Sequence, residues 1–277
     1  MIDAHQHFWY YLPGDYEWID ERMSVLKKDY LPADLWPHLQ ESGIVGTIAV
    51  QARQTLAETQ WLLSLSDEFD FIKGVVGWVD LCSDDLSAQL EGFVKHPRFK
   101  GVRHVLQDEP DDRFMLREDF LNGVAELAHY DMAYDLLIFA RHLPCAIELV
   151  SRFPGQTFIV DHLAKPDIKN RELSRWKQHM SELATFPNVF CKLSGMVTEV
   201  DWKRWRTADF VPWLEVLLDV FGADRLMIGS DWPVCLLGGS YQRVLGIVLD
   251  FIASLPQEVK TNILEETVRR AYRLELV

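Results

Sequence analysis

The stretch Ile2-Asp3-Ala4-His5-Gln6-His7 decides how the rest of the chain is interpreted, because it combines an apolar start with regularly spaced ligand-type side chains. Side chains alternate between the two faces of a strand, so the pattern predicts that Asp3, His5 and His7 share one side. Two imidazoles at the open end of a strand form a pair of candidate metal ligands. A matching acid, Asp231, lies near the other end of the chain. Our interpretation of the function therefore depends on whether the two ends of the chain meet in the fold.

Apolar, strand-like runs alternate with amphipathic, helix-like segments along the whole sequence. The predicted strands are residues 2–7, 45–51, 72–79, 99–106, 133–139, 157–165, 189–195 and 226–231, and the predicted helices are residues 57–66, 86–94, 120–129, 144–153, 171–185, 210–221, 241–255 and 258–272. Strands that are apolar on both faces and alternate with helices indicate a parallel sheet covered by helices.

Eight such units in 277 residues, without a Pro/Gly/Ser-rich linker, predict an α/β fold: one (β/α)8 TIM barrel that spans residues 1–277. A doubly wound sheet is the alternative. We disfavour it because no glycine-rich phosphate loop follows any of the early strands.

One segment, residues 8–38, breaks the regular spacing and is rich in aromatic side chains. In a barrel it would be a long first βα loop over the active site, and long loops in compact domains often serve as lids or binding loops. Two interpretations stay open: the loop packs over the barrel mouth, or some of its aromatic side chains touch the substrate.

The composition excludes several classes of function. A net charge of −14 argues against a nucleic-acid partner, and no apolar stretch is long enough for a membrane span. The cysteines are scattered without CxxC spacing, which is typical of reduced thiols: Cys82, Cys145, Cys191 and Cys235. Because the first predicted strand begins almost at once, no signal peptide is predicted, and we expect a cytoplasmic enzyme. A homo-oligomer is possible on this sequence.

Polar residues at the carboxyl ends of barrel strands are the first candidates for a site. His162 follows the sixth strand and is either a third metal ligand or a hydrogen-bonding group at the reacting centre; by alternation, Asp161 is expected on the opposite face. Asp231 ends the eighth strand, beside strand one once a barrel closes. A turn or helix cap would also explain Asp231, but a carboxylate there can bind a metal and take a proton from water.

Further polar side chains mark other strand ends. The candidates for substrate binding are Arg103, Lys192, Arg53, Gln51 and Trp78, and His104 is a candidate catalytic residue. A lysine inside an apolar strand is costly unless it is paired or reaches water, so Lys192 is predicted to contact substrate rather than to form a structural ion pair. Adjacent residues point oppositely in a regular strand, so only a bulge would bring both Arg103 and His104 to the substrate.

Serine and cysteine nucleophiles find no support in the sequence. Cys191 lies in the middle of a predicted strand and alternates away from Lys192, and no Gly-x-Ser-x-Gly elbow is present.

Taken together, these motifs resemble the amidohydrolase superfamily of metal-dependent hydrolases, and within it the sugar-lactone hydrolases that act on L-fucono- and L-rhamnono-lactones. The resemblance runs nearly end to end and is carried by residues 3–9 (DAHQHFW), 50–53 (VQAR), 76–78 (VGW), 101–107 (GVRHVLQ), 161–166 (DHLAKP), 192–195 (KLSG) and 229–233 (GSDWP). It implies a (β/α)8 barrel with His5, His7 and a later histidine, His162, as metal ligands, and Asp231 as ligand and general base.

The chain departs from the family at strand five, which lacks the internal His or Lys that two-metal members use; His142 comes later, at the predicted start of the next helix. The resemblance therefore implies one divalent metal, predicted to be zinc. Lactone opening expels a less basic leaving group than amide cleavage, so a weakly bound or absent metal is chemically tolerable.

The predicted reaction is hydrolysis of a small-molecule sugar lactone to the open acid by water that Asp231 activates, with Arg103, His104, Lys192 or the metal stabilising the oxyanion. The alternative is a metal-dependent decarboxylase of the same superfamily that acts on an aromatic or unsaturated acid. A third hypothesis is a barrel kept only for metal binding or protein interaction.

Overall fold

The computed structural model describes residues 1–275 and forms one parallel sheet of eight strands in the order β1 to β8. The strands are β1 Ile2–Gln6, β2 Gly46–Val50, β3 Ile72–Gly77, β4 Phe99–His104, β5 Ala133–Leu136, β6 Phe158–Val160, β7 Val189–Leu193 and β8 Leu226–Ile228. The sheet closes between its ends: the His7 amide donates to the Trp232 carbonyl at 2.7 Å, and the Asp231 amide donates to the His5 carbonyl at 2.8 Å. The two ends of the chain meet, and the predicted (β/α)8 barrel is confirmed.

Helices surround the barrel and connect its strands. They are α1 Pro32–Ser42, α2 Leu56–Glu68, α3 Leu86–Phe93, α4 Glu118–His129, α5 Leu143–Arg152, α6 Ser174–Leu183, α7 Val211–Phe221, α8 Tyr241–Ile252, α9 Gln257–Thr261 and α10 Thr267–Ala271, with a π-helical turn at Asn262–Glu266 between the last two. Within residues 1–275, no helix has both the length and the hydropathy needed to cross a bilayer.

The apolar core has two parts. The larger cluster fills the layer between strands and helices, and the smaller one fills the lower barrel interior with residues such as Ile48, Ile159 and Met227. Val268, Ala271 and Tyr272 from the C-terminal segment belong to the interior cluster, so this segment closes the amino-terminal end of the barrel. The opposite end, where the strands finish, stays open for polar side chains.

The first βα loop is shorter than predicted, because α1 begins at Pro32 rather than after residue 38. Proline suits the first helical position, and the Asp34 carboxylate accepts a hydrogen bond from the Leu31 amide at 2.9 Å. Leu35 and Leu39 are buried on one face of this helix. Pro37 lies inside the helix and conceals its periodicity in the sequence.

A bulge in β1 changes which side chains face the barrel axis. The pairing with β2 shifts between Asp3 and Gln6, so Ala4 lies in the interior cluster and His5 reaches the interior histidines. Asp3 instead accepts hydrogen bonds from Tyr241 on α8 at 2.9 Å and from the Ser230 hydroxyl at 2.6 Å. The prediction that Asp3 shares a face with His5 and His7 is therefore wrong: a bulge breaks the alternation on which it rested.

Candidate active site

Three histidines and one aspartate meet at the open end of the barrel. His5 Nε2 and His7 Nε2 are 3.1 Å apart, and Asp231 Oδ1 lies 3.4 Å from His7 Nε2 and 3.8 Å from His5 Nε2. His162 Nε2 is 3.8 Å from the same carboxylate oxygen. All four side chains are buried. The structure brings together the four residues that the sequence proposes as metal ligands.

These separations, from 3.1 to 3.8 Å, bracket the spacing of ligands around one divalent cation. Tetrahedral ligands held about 2.0–2.2 Å from a metal lie about 3.3–3.6 Å from one another. His7 Nδ1 donates to the Val50 carbonyl at 2.8 Å, which leaves the Nε2 lone pair directed at the cluster. Behind His5, the Asp161 carboxylate lies 3.3 Å from Nδ1 and can accept its proton, which leaves the lone pair on Nε2, at the cluster and 3.4 Å from Arg103 Nη1. The donor set therefore fits such an ion.

The protonation states also fit metal binding. Burial lowers the pKa of His162 to about 4 and that of His5 well below its ordinary value, so both rings are neutral near pH 7. Burial alone would raise the pKa of Asp231, but the neighbouring His162 and His7 lower it. A neutral imidazole and an ionised carboxylate are the forms that bind a cation.

Unusual backbone conformations place two of these side chains. Strand β6 ends at Val160, and four consecutive residues, His162 to Lys165, then have positive φ angles of 54°, 58°, 56° and 47°. Asp231 has φ 58°. Such conformations cost about 1–3 kcal/mol each in non-glycine residues and concentrate at functional sites. The predicted sixth strand was too long because alternation does not reveal this left-handed run.

A buried network of charges lies beneath the cluster. Asp161 Oδ2 accepts from Arg103 Nη1 at 3.0 Å, and Asp161 Oδ1 lies 2.9 Å from Lys192 Nζ. Lys192 also binds Asp135 Oδ2 at 2.5 Å, and Tyr272 donates to that same oxygen at 2.7 Å. The network fixes His5 from below through Asp161, whose Oδ1 lies 3.3 Å from His5 Nδ1.

The two acids of this network differ in proton affinity. Burial raises the pKa of Asp135 to about 6, whereas Lys192, His5 and Arg103 outweigh burial at Asp161 and hold its pKa well below the ordinary range. Sequence reasoning missed both residues. Asp161 was assigned to the wrong face, because both it and His162 turn inward where the strand ends. Asp135 could have been found in the sequence, because an acid inside an apolar predicted strand needs a buried partner.

The remaining predicted residues fall into two groups. Arg103 faces the interior and borders the cavity; Gln51 Oε1 accepts from it at 2.9 Å. Arg53 also borders the cavity, where it is paired with Asp15. Lys192, by contrast, is fully buried in its ion pairs, so the predicted substrate contact is not supported by its position.

His104 points away from the site. Its Nε2 is 2.7 Å from Glu109 Oε1, its ring stacks on Phe114, and Trp78 Nε1 lies 3.5 Å from its Nδ1. Adjacent residues of β4 do point oppositely, and Arg103 is the one that faces inward. We therefore withdraw the catalytic role predicted for His104 and the substrate contact predicted for Trp78. His142 is likewise remote, with its Nε2 2.8 Å from Asp112 Oδ1.

A cavity of about 700 Å³ opens above the cluster. Part of the first loop borders it through Trp9 and Trp18, whereas Tyr10 is exposed and packs on Trp61. Sequence reasoning did not assign the opposite wall, which is formed by Lys165, Thr198, Glu199 and Trp202. The cavity is large enough for a small cyclic substrate.

A (β/α)8 barrel with a histidine–aspartate cluster at the carboxyl ends of its strands defines a class of barrel enzymes that bind a cation there. The profile of the family described as Amidohydrolase matches residues 2–274. The chain belongs to this family.

Two relatives are similar over most of the chain. An L-fucono-1,5-lactonase of Burkholderia multivorans is 43% identical over 257 residues, which cover 89% of this chain and 86% of that protein. A crystal structure of an amidohydrolase from Burkholderia multivorans with bound zinc is 41% identical, with a TM-score of 0.95 over 99% of both chains. A 5-carboxyvanillate decarboxylase from Sphingomonas paucimobilis, 11% identical with a TM-score of 0.65 over 99% of both chains, shares the fold alone.

Proposed function

We propose that this chain hydrolyses a sugar-acid lactone, with L-fucono-1,5-lactone as the first candidate, to the open-chain acid. The proposed substrate class is based on the similarity to the L-fucono-1,5-lactonase of Burkholderia multivorans over 89% of the chain. The convergence of Asp231 with three histidines under a cavity supports the reaction class.

Asp231 acts as the general base. Its carboxylate is ionised near neutral pH and borders the cavity, so it can accept a proton from the water that attacks the lactone carbonyl. His162 Nδ1 lies 2.8 Å from the Ser194 hydroxyl, which fixes the ring. The other ring nitrogen, Nε2, faces the Asp231 carboxylate at 3.8 Å. With its ring fixed by Ser194, His162 positions the water beside Asp231.

The carbonyl oxygen gains negative charge as the water attacks. Among the cations that the sequence proposed for this oxyanion, Arg103 is the one that both faces inward and borders the cavity. Its guanidinium is held in place by Asp161 and by Gln51, so it acts on the oxyanion as a fixed positive charge that needs little reorganisation when charge develops.

His5, His7, His162 and Asp231 would hold a divalent cation, for which we propose zinc. Bound there, it would supply Lewis-acid polarisation of the carbonyl or of the attacking water.

A substrate panel tests this proposal. Purified protein should hydrolyse L-fucono-1,5-lactone, followed by acid release with a pH indicator, and should release no bicarbonate from aromatic acids. Elemental analysis before and after chelation gives the metal content, and activity measured in parallel shows whether the metal is required. Hydrolysis of no sugar lactone together with decarboxylation of an aromatic acid would contradict the proposal.

A further inference from the structure

Lys165 is a cation of the cavity wall that the charge network does not use. Its ammonium group lies 5.3 Å from the centre of the Phe139 ring, and across residues 1–275 no hydrogen bond or salt bridge holds it. The other cations at this end of the barrel are engaged: Arg103 binds Asp161, and Arg53 binds Asp15. Lys165 therefore offers its donors to whatever occupies the cavity.

The backbone leaves regular secondary structure in the segment that carries this side chain. Lys165 is the last of the four left-handed residues that begin at His162, and its φ of 47° is unfavourable for a side-chain-bearing residue. The same short run directs His162 to Asp231 and Lys165 into the cavity. A loop that only connected β6 to α6 would not need this conformation, whereas a loop that positions two functional groups would.

Glu199 stands beside Lys165 on the same wall. One of its carboxylate oxygens, Oε1, accepts from the Thr198 hydroxyl at 2.8 Å, and no hydrogen bond to the second oxygen is found within residues 1–275. No salt bridge joins the two side chains within residues 1–275, and burial raises the pKa of Glu199 and lowers the pKa of Lys165. A donor and an acceptor thus line the same cavity.

We infer that Lys165 and Glu199 are the specificity-determining residues that bind adjacent hydroxyl groups of a polyhydroxylated ring, a role that deepens the proposed function and rests on it. The ammonium donates to one hydroxyl oxygen, and the carboxylate accepts the proton of a neighbouring hydroxyl. Trp202 borders the same part of the cavity and offers an apolar surface to the ring. Neither residue takes part in opening the lactone; both select which lactone enters.

Binding of L-fucose tests the inference without turnover, because this sugar has the ring hydroxyls of L-fucono-1,5-lactone but no ester. Trp9, Trp18 and Trp202 border the cavity, so their fluorescence reports on occupancy. The variants are Lys165→Met and Glu199→Gln, and the control is Lys169→Met, which removes the same charge from an exposed position four residues away. Thermal unfolding of each variant shows that the fold is kept.

The wild type and Lys169→Met should bind L-fucose alike, whereas Lys165→Met should raise Kd about 10- to 100-fold, as expected for loss of a hydrogen bond from a charged group. Glu199→Gln keeps the shape of the side chain and should raise Kd by about 3- to 10-fold. Wild-type affinity in both folded variants, or no saturable L-fucose binding by the wild type, would overturn the inference.

Kinetics separate this inference from the proposed function. With L-fucono-1,5-lactone, Lys165→Met should raise KM far more than it lowers kcat, and with δ-valerolactone, which has no hydroxyls, kcat/KM should change less than about 3-fold. An equal loss on both lactones would place Lys165 at the reacting centre and overturn the inference. If the variants lose L-fucose binding but the wild type hydrolyses no lactone, the inference stands and the proposed function fails.

Discussion

Glu58 on α2 gives the stability of this barrel a specific dependence on pH. The side chain is buried, and its Oε2 accepts hydrogen bonds from the amides of Ala52 and Arg53 at 3.1 and 2.7 Å, which fixes the loop after β2 beside the cavity. Oε1 has no hydrogen-bond partner within residues 1–275. Burial raises the pKa of Glu58 from 4.5 to about 7, against the opposing effect of Arg53.

The magnitude and the sign follow from proton linkage. Between pH 4.5 and about 7 the folded protein holds the Glu58 proton while the unfolded chain releases it, so the free energy of unfolding falls as pH rises. At about 1.4 kcal/mol per pH unit, the total loss across this window is about 3 kcal/mol. The stabilising contribution is complete below pH 4.5 and is lost above about pH 7.

Glu58→Gln removes this ionisation and keeps an oxygen that accepts the same two amide hydrogens. Urea unfolding at pH 5 should give similar free energies for the variant and the wild type, whereas at pH 8 the variant should be more stable by about 3 kcal/mol. Glu215→Gln, at an exposed position of α7, is the matched control and should show no pH-dependent difference. If the difference in unfolding free energy between Glu58→Gln and wild type were the same at both pH values, the pKa of Glu58 would not be raised in the folded protein.

Two further substitutions test the site and the barrel closure. A Cβ at Gly195, which has φ +64°, would lie 2.4 Å from His162 Nδ1, so Gly195→Ala should displace that ring and lower kcat at least about 10-fold. Gly246→Ala is the control, because a Cβ at this position of α8 meets nothing within 4 Å. This variant should leave kcat unchanged and stabilise α8 by about 1 kcal/mol. Wild-type kcat in Gly195→Ala would contradict the placement of His162. Asp3 accepts hydrogen bonds from the Ser230 hydroxyl and from Tyr241, so Asp3→Ala should cost about 2–4 kcal/mol in urea unfolding, and a loss below about 0.5 kcal/mol would contradict its role in joining β1 to the end of β8.

The barrel could be predicted because its signal is spread over many residues. Apolar runs such as the one that contains Ile48 and Val50 keep their character even where a boundary shifts by a residue or two, and the alternation with helices is independent of those boundaries. Helix α1 escaped prediction because one residue, Pro37, hides its periodicity. The cluster of His5, His7, His162 and Asp231 could be predicted because strand ends in a closed barrel converge.

Side-chain direction near the strand ends could not be predicted from alternation. The β1 bulge turned Asp3 outward, and the left-handed run that begins at His162 brought this side chain to the same side as Asp161. The ion pairs of Lys192 are also invisible in the sequence, because its partner Asp135 lies on another strand, 57 residues away. Whether a buried cation contacts substrate or another residue depends on distances that only the folded barrel sets.

If Asp231, within its histidine cluster, activates water for lactone hydrolysis, its carboxylate must be needed for turnover of L-fucono-1,5-lactone, which Asp231→Asn measures. The control is Asp219→Asn, an exposed position of α7. We expect kcat to fall about 10²- to 10⁴-fold in Asp231→Asn and to stay at the wild-type level in Asp219→Asn, with both proteins folded. Turnover near the wild-type level in a folded Asp231→Asn protein would contradict this role of Asp231.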